Sequence, residues 1–95
     1  MTPLRKTLVA VTMAITLLPA LPASASDYDY MGCNQLWYQR NSIYSQAGYC
    51  FKTARARAVF GYGCFAPYGR LSGYAQKTVS LIVTAERRKG CGGGY

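Results

Sequence analysis

Cys33, Cys50, Cys64 and Cys91 all lie beyond the first third of this 95-residue chain, and no other feature limits its fold so strongly. What they can do depends on the compartment, which the start of the sequence indicates. Arg5 and Lys6 precede an apolar run over 7–21, and Pro22-Ala23-Ser24-Ala25 closes it in an A-x-A pattern. A basic start, a short apolar core and small residues before a cleavage point mark a secretory signal peptide. The run is short for a membrane span, and Pro19 and Pro22 interrupt its end, so an anchor is the weaker reading. Cleavage after Ala25 leaves 70 residues, exported to the periplasm or the medium, with no transmembrane span.

In a small exported chain an even number of cysteines reads as a disulfide framework. Zinc held by four thiolates is the rival, but the spacings of 17, 14 and 27 residues contain no C-x-x-C pair. The expectation is two disulfides, no metal and no cofactor. Seventy residues bury too little apolar surface to be comfortably stable, so covalent staples have a structural purpose. A bridge closing the Cys50–Cys64 loop would contribute about 3 kcal/mol in the chain-entropy model. Spacing alone leaves three connectivities open.

The mature chain divides into a short lead (26–32), a domain over 33–91 and a flexible tail (92–95). The lead, SDYDYMG, shows no periodicity and reads as partly ordered. Placing the next residues at 100° intervals puts Leu36, Trp37, Arg40, Ile43, Tyr44 and Ala47 on one arc, with Gln35, Tyr38, Gln39, Ser42, Ser45 and Gln46 opposite. This predicts an amphipathic helix over about 34–47, with Asn34 as N-cap and Gly48 as the left-handed stop. Thr53 is positioned to cap a short helix over about 54–60 that points Val59 and Phe60 inward and leaves Arg55 and Arg57 solvated. Residues 61–71 (GYGCFAPYGRL) read as a turn-rich connection, its Tyr62, Phe65 and Tyr68 folding back over the core. Ser72 caps a last helix over about 73–89, which carries Tyr74, Ala75, Thr78, Val79, Ile82, Val83, Ala85 and Glu86 on one face. Arg87, Arg88 and Lys89 at its C-terminal end suit the helix dipole.

One pair of residues breaks the apolar pattern. Arg40 sits within the inner arc of the first long helix and Glu86, the only acid after Asp29, within that of the last. Each is costly to bury alone, and each offers what the other lacks. A bidentate Arg40–Glu86 bridge across the helix contact is therefore expected, with Asn41 hydrogen-bonded to nearby backbone. The competing readings have Arg40 snorkelling to the edge while Glu86 pairs with Lys89, or Arg40 binding an anion in a pocket. Trp37 and Tyr44 are expected in the core; Tyr38 is outward, to stack on a sugar or lie over a neighbour.

Catalytic chemistry finds little support. The chain has no histidine and three acids, two of them Asp27 and Asp29 in the lead, so imidazole-based triads and a carboxylate pair are excluded or improbable. Oxidised cysteines supply no nucleophile. Losing Arg5 and Lys6 leaves nine cations against three acids, near +6, and all thirteen aromatics fall in the mature part. Basic plus aromatic suits an anionic glycan, an anionic lipid headgroup or an envelope protein. Export makes nucleic acid the least suitable partner.

Leu36-Trp37-x-x-Arg40-Asn41-x-Ile43-Tyr44-x-x-x-Gly48-Tyr49-x-Phe51, with Phe60, Leu71-Ser72 and a helix ending near Glu86 downstream, resembles the YARHG domain family of small exported bacterial proteins. The cysteines resemble a disulfide-bearing branch of it. Within the naming run, Tyr44-Ser45-Gln46-Ala47-Gly48 keeps only the tyrosine and the glycine, so no role of the family's Arg or His carries over. The resemblance implies an envelope or extracellular module and no activity.

Together these readings predict a mainly α, disulfide-stapled domain. If the two long helices pack antiparallel, the bridges are Cys33–Cys91 and Cys50–Cys64. The expected function is a non-enzymatic exported module attracted to an anionic envelope component, with Lys52, Arg55, Arg57, Arg87, Arg88 and Lys89 as the candidate anion-binding surface. A secreted cationic antimicrobial or toxin and a small secreted enzyme inhibitor are the alternatives.

Overall fold

The computed structural model describes residues 24–92; most of the expected signal segment and residues 93–95 of the tail lie outside the described residues. Four helices follow in order, α1 Ala25–Asp29, α2 Cys33–Gln46, α3 Ala54–Phe60 and α4 Gly73–Arg88. Among the described residues there is no strand, only an isolated antiparallel bridge between Cys50 and Gly63. The protein is mainly helical, and α2, α3 and α4 match the three helices expected from the sequence to within a residue at each end.

α1 corrects the reading of 26–32 as an unpatterned lead. Tyr28 is 6% exposed against Leu36, Ile82 and Ala85; in the full chain the Ser24 backbone N–H also donates to Asp27 Oδ2 at 2.7 Å, a cap that cleavage after Ala25 would remove. A five-residue helix is too short to show a period and is held by tertiary packing instead of propensity. Burial, then the neighbouring Asp27 charge and Tyr74, push the Tyr28 phenol above its ordinary value. The folded state therefore keeps this proton at a pH where the unfolded chain has lost it, and stability falls as pH rises past about 10. Tyr28→Phe should flatten the alkaline limb of a stability–pH profile measured by urea unfolding, with little change near neutrality. An unaltered alkaline slope would remove Tyr28 from that account.

α2 is the spine. Its N-cap is Gly32, not Asn34: Gln35 Oε1 accepts from the Gly32 N–H at 3.3 Å, while Asn34, inside the first turn, accepts from Arg55 Nη2 at 3.1 Å. Its end is a full Schellman motif. The Tyr49 N–H reaches Tyr44 O (3.1 Å) and the Gly48 N–H reaches Ser45 O (3.0 Å), Gly48 sits at φ +75°, and the Tyr44 and Tyr49 rings meet at 5.4 Å.

Two neighbouring stripes on α2 face two small cores. Leu36, with Ile43 beside it, joins Tyr28, Ile82 and Ala85 under α1 and α4. Trp37 joins Phe51 and Ala56, with Tyr44 and Phe60 packed on them. α3 thus turns Ala56 and Phe60 inward, one helical turn apart; Val59, about 100° behind Phe60, faces solvent at 49% exposure and not the core. The Ala56 N–H bonds Thr53 Oγ1 at 3.2 Å and the Ala75 N–H bonds Ser72 Oγ at 3.3 Å, so both expected caps form.

Disulfides join Cys33 to Cys91 and Cys50 to Cys64, with Cα separations of 5.5 and 4.1 Å. The first fastens the start of α2 to the chain leaving α4, as antiparallel packing requires. There Arg88 Nη2 meets Asp29 Oδ1 at 2.8 Å and Lys89 Nζ donates to Asp29 O. The second disulfide closes the connection 61–71. Tyr62, Phe65 and Tyr68 do not fold back over the core; all three are exposed. The backbone of 48–51 pairs directly with 62–65, and Phe51, itself buried, fills the space they were expected to cover.

Candidate ligand groove

Arg40 stands at the seam between the two cores, four residues after Leu36 and three after Trp37. Across the helix contact its Nε donates to Glu86 Oε1 at 2.8 Å, with side chains 13% and 3% exposed respectively. The fork-to-fork geometry expected from the sequence is not formed. Glu86 Oε2 is buried and accepts no hydrogen bond among the described residues. Lys89, the local alternative partner, turns to α1 instead. Asn41 is buried, and its Nδ2 donates to Trp37 O one turn back at 2.9 Å.

Cavities flank the arginine on either side. The larger, about 280 Å³, has Trp37, Tyr44, Tyr49 and Phe51 as its aromatic walls, with Arg40, Asn41, Lys52 and Thr53 as its polar groups. The other, about 250 Å³, is lined by Arg40, Val83, Glu86, Arg87 and Cys91. Aromatic walls are held by ring-to-ring packing: Phe51 stacks on Phe60 at 5.4 Å and meets Tyr49 edge-on at 5.1 Å, while Phe60 touches Trp37 at 5.8 Å. Tyr38 is half exposed and lies over Phe60 at 5.3 Å.

The six candidate anion-binding cations separate into two groups with different uses. Arg55 is not simply solvated: its guanidinium lies 3.8 Å from the centre of the Trp37 ring. Arg57 likewise donates from Nε to Phe51 O at 2.8 Å and covers Tyr62 at 4.6 Å. Arg88 and Lys89 hold α1. The side chains of Lys52 and Arg87 make no hydrogen bond or ion pair among the described residues, and each lines one of the cavities beside Arg40. Sequence reading missed Tyr49 and Thr53 as groove residues, because they lie outside any helix and carry no periodic signal. Among the described residues no group of three His, Cys, Asp or Glu side chains could ligate a metal, and all four cysteines are bridged.

These features define a small disulfide-stapled helical module with a basic, aromatic-walled groove. The chain belongs to the YARHG family: the family model described as the YARHG domain matches residues 11–87. No curated protein and no solved structure matches it. Membership and the two disulfides are consistent with an extracellular or periplasmic protein. Among the described residues no helix is long and apolar enough to cross a membrane.

Proposed function

We propose that the protein is a non-enzymatic exported module that binds an acidic glycan of the cell envelope in the larger groove. The observation that carries this reading is the composition of that groove. Four aromatic walls, the unengaged Lys52 and the hydroxyl and amide of Thr53 and Asn41 meet there without a carboxylate. At about 280 Å³ the groove lies near the lower edge of ordinary ligand sites, ~300 Å³, a size for a sugar unit and its acidic substituent. Tyr49, partly exposed, offers a ring face, and Lys52 a charge for a carboxylate. A general base is missing from the lining, since Glu86 is buried against Arg40 and Asp27 and Asp29 belong to α1, so the groove suits holding a ligand more than transforming it. Export rests on the signal pattern before residue 26, supported by the disulfides.

The reading predicts that the protein binds polygalacturonate and not neutral dextran, and that binding persists at about 0.5 M salt, where general charge attraction is screened. Lys52→Ala should weaken it about tenfold, the value of one charge-assisted hydrogen bond, with no change in thermal stability. Lys77→Ala, an equal charge change on the exposed side of α4, is the control. Equal losses from both variants in calorimetric titrations would reduce the interaction to net charge.

A further inference from the structure

The connection 61–70 carries an unexplained surface. Tyr62, Phe65 and Tyr68 are 69%, 52% and 64% exposed, three aromatics within seven residues that contribute to neither core. A mobile loop could hide such side chains transiently; this one is fixed. Its backbone is pinned at Phe51–Tyr62 (3.2 Å), Gly48–Phe65 (3.1 Å) and Ala47–Gly69 (2.8 Å), and the Cys50–Cys64 disulfide closes it. Tyr68 is held at φ +58°, in the left-handed region that favours glycine or asparagine. Folding stability would favour a different residue there, so the exposed tyrosine calls for a use outside the fold.

The chemistry around the loop selects the partner. Arg57 covers Tyr62 at 4.6 Å, steadying the ring while adding charge beside it, and Arg70 follows at the loop's end. No acidic residue occurs between Asp29 and Glu86, so this end of the molecule presents cations without compensation. Neither cavity beside Arg40 includes a residue of 61–70, so the exposed aromatics lie outside both. Exposed tyrosines and a phenylalanine flanked by arginines match the headgroup zone of a bilayer, where amphipathic rings settle and anionic lipids attract basic side chains.

We propose that the loop 61–70 docks the protein on an anionic lipid surface, with Tyr62, Phe65 and Tyr68 entering the headgroup layer and Arg57 and Arg70 contacting lipid phosphates. This surface is separate from the groove, so either can fail without the other.

Co-sedimentation of the oxidised protein with phosphatidylcholine vesicles, with and without about one-third phosphatidylglycerol, tests it. The expected result is binding to the anionic vesicles only. The triple variant Tyr62→Ser/Phe65→Ser/Tyr68→Ser should bind about tenfold more weakly at unchanged net charge, keep its thermal transition and still bind polygalacturonate as the wild type does. If the triple variant does not fold, Tyr62→Ser/Tyr68→Ser is read instead, with a proportionate loss. No binding to anionic vesicles, or undiminished binding by the folded aromatic variant, would overturn the proposal. So would finding that these aromatics are needed for the polysaccharide and not for the vesicles.

Discussion

Gly48→Ala is expected to destabilise the protein by about 3–4 kcal/mol in urea unfolding, from an estimated ~1 kcal/mol for alanine at positive φ and the remainder from lost backbone bonds and a clash. Gly48 sits at φ +75°, and a Cβ built there would lie 1.9 Å from the backbone oxygen of Phe65 and 2.7 Å from its carbonyl carbon. Backbone cannot swing aside as a side-chain end would. The Phe65 N–H bond to Gly48 O at 3.1 Å holds the loop to the end of α2, so relieving the clash means separating the two. Gly90, at the same position in the bonded stop that ends α4 (Gly90 N–H to Arg87 O, Cys91 N–H to Glu86 O), is the matched control. Its φ is +66° with nothing within 4 Å of a new Cβ, so Gly90→Ala should cost only the conformational share, about 1 kcal/mol. Similar losses at both positions would show that the close approach at Gly48 contributes nothing.

The second large effect is at the helix seam. Glu86→Gln keeps the shape of the side chain and removes its charge, leaving Arg40 mostly buried without its carboxylate. Breaking a buried pair from one side costs about 3–5 kcal/mol. The lower end, about 3, is expected here because Arg40 retains 13% side-chain exposure. Arg40→Met/Glu86→Leu should recover most of that loss, since well-packed apolar replacement of an ion pair is often neutral or better. A Glu86→Gln protein as stable as the wild type would mean the pair contributes neither energy nor helix register. A double variant as unstable as the single one would mean the seam needs polar groups for a reason other than their mutual attraction.

Helices were legible where the pattern was long. α2 and α4 each show a full inner arc, and their caps and stops are local chemistry, so Ser72, Thr53 and Gly48 could be assigned from neighbours alone. Arg40 and Glu86 were legible as partners because each is the single charge on an otherwise apolar arc. Their one-oxygen geometry was not, since it depends on how far the helices stand apart. α1 was illegible for the opposite reason: five residues hold no period, and Tyr28 is buried by α4, which lies far along the chain. Arg55 and Arg57 looked solvated on a wheel of α3 alone. In the fold the neighbours α2 and the 61–70 loop bring Trp37 and Tyr62 beneath them.

The family resemblance gains a physical meaning from the same detail. Of the five-residue run that names the family, this chain keeps Tyr44 and Gly48. Those two are the acceptor and the left-handed residue of the motif that ends α2. What survives of the run is therefore the helix stop that aims Tyr49 at the groove and starts the pairing with 62–65. The parts lost, at Ser45, Gln46 and Ala47, are not needed for that stop, which explains how the fold persists without them.

The central functional claim, an acidic glycan held in the groove beside Arg40, is tested most directly by backbone amide shifts on titration with an oligogalacturonate. The account predicts saturable shifts confined to Tyr49, Phe51, Lys52, Thr53 and the Arg40–Tyr44 turn, unchanged at about 0.5 M salt. Shifts scattered over Arg70, Lys77 and Arg87 that disappear with salt would contradict it.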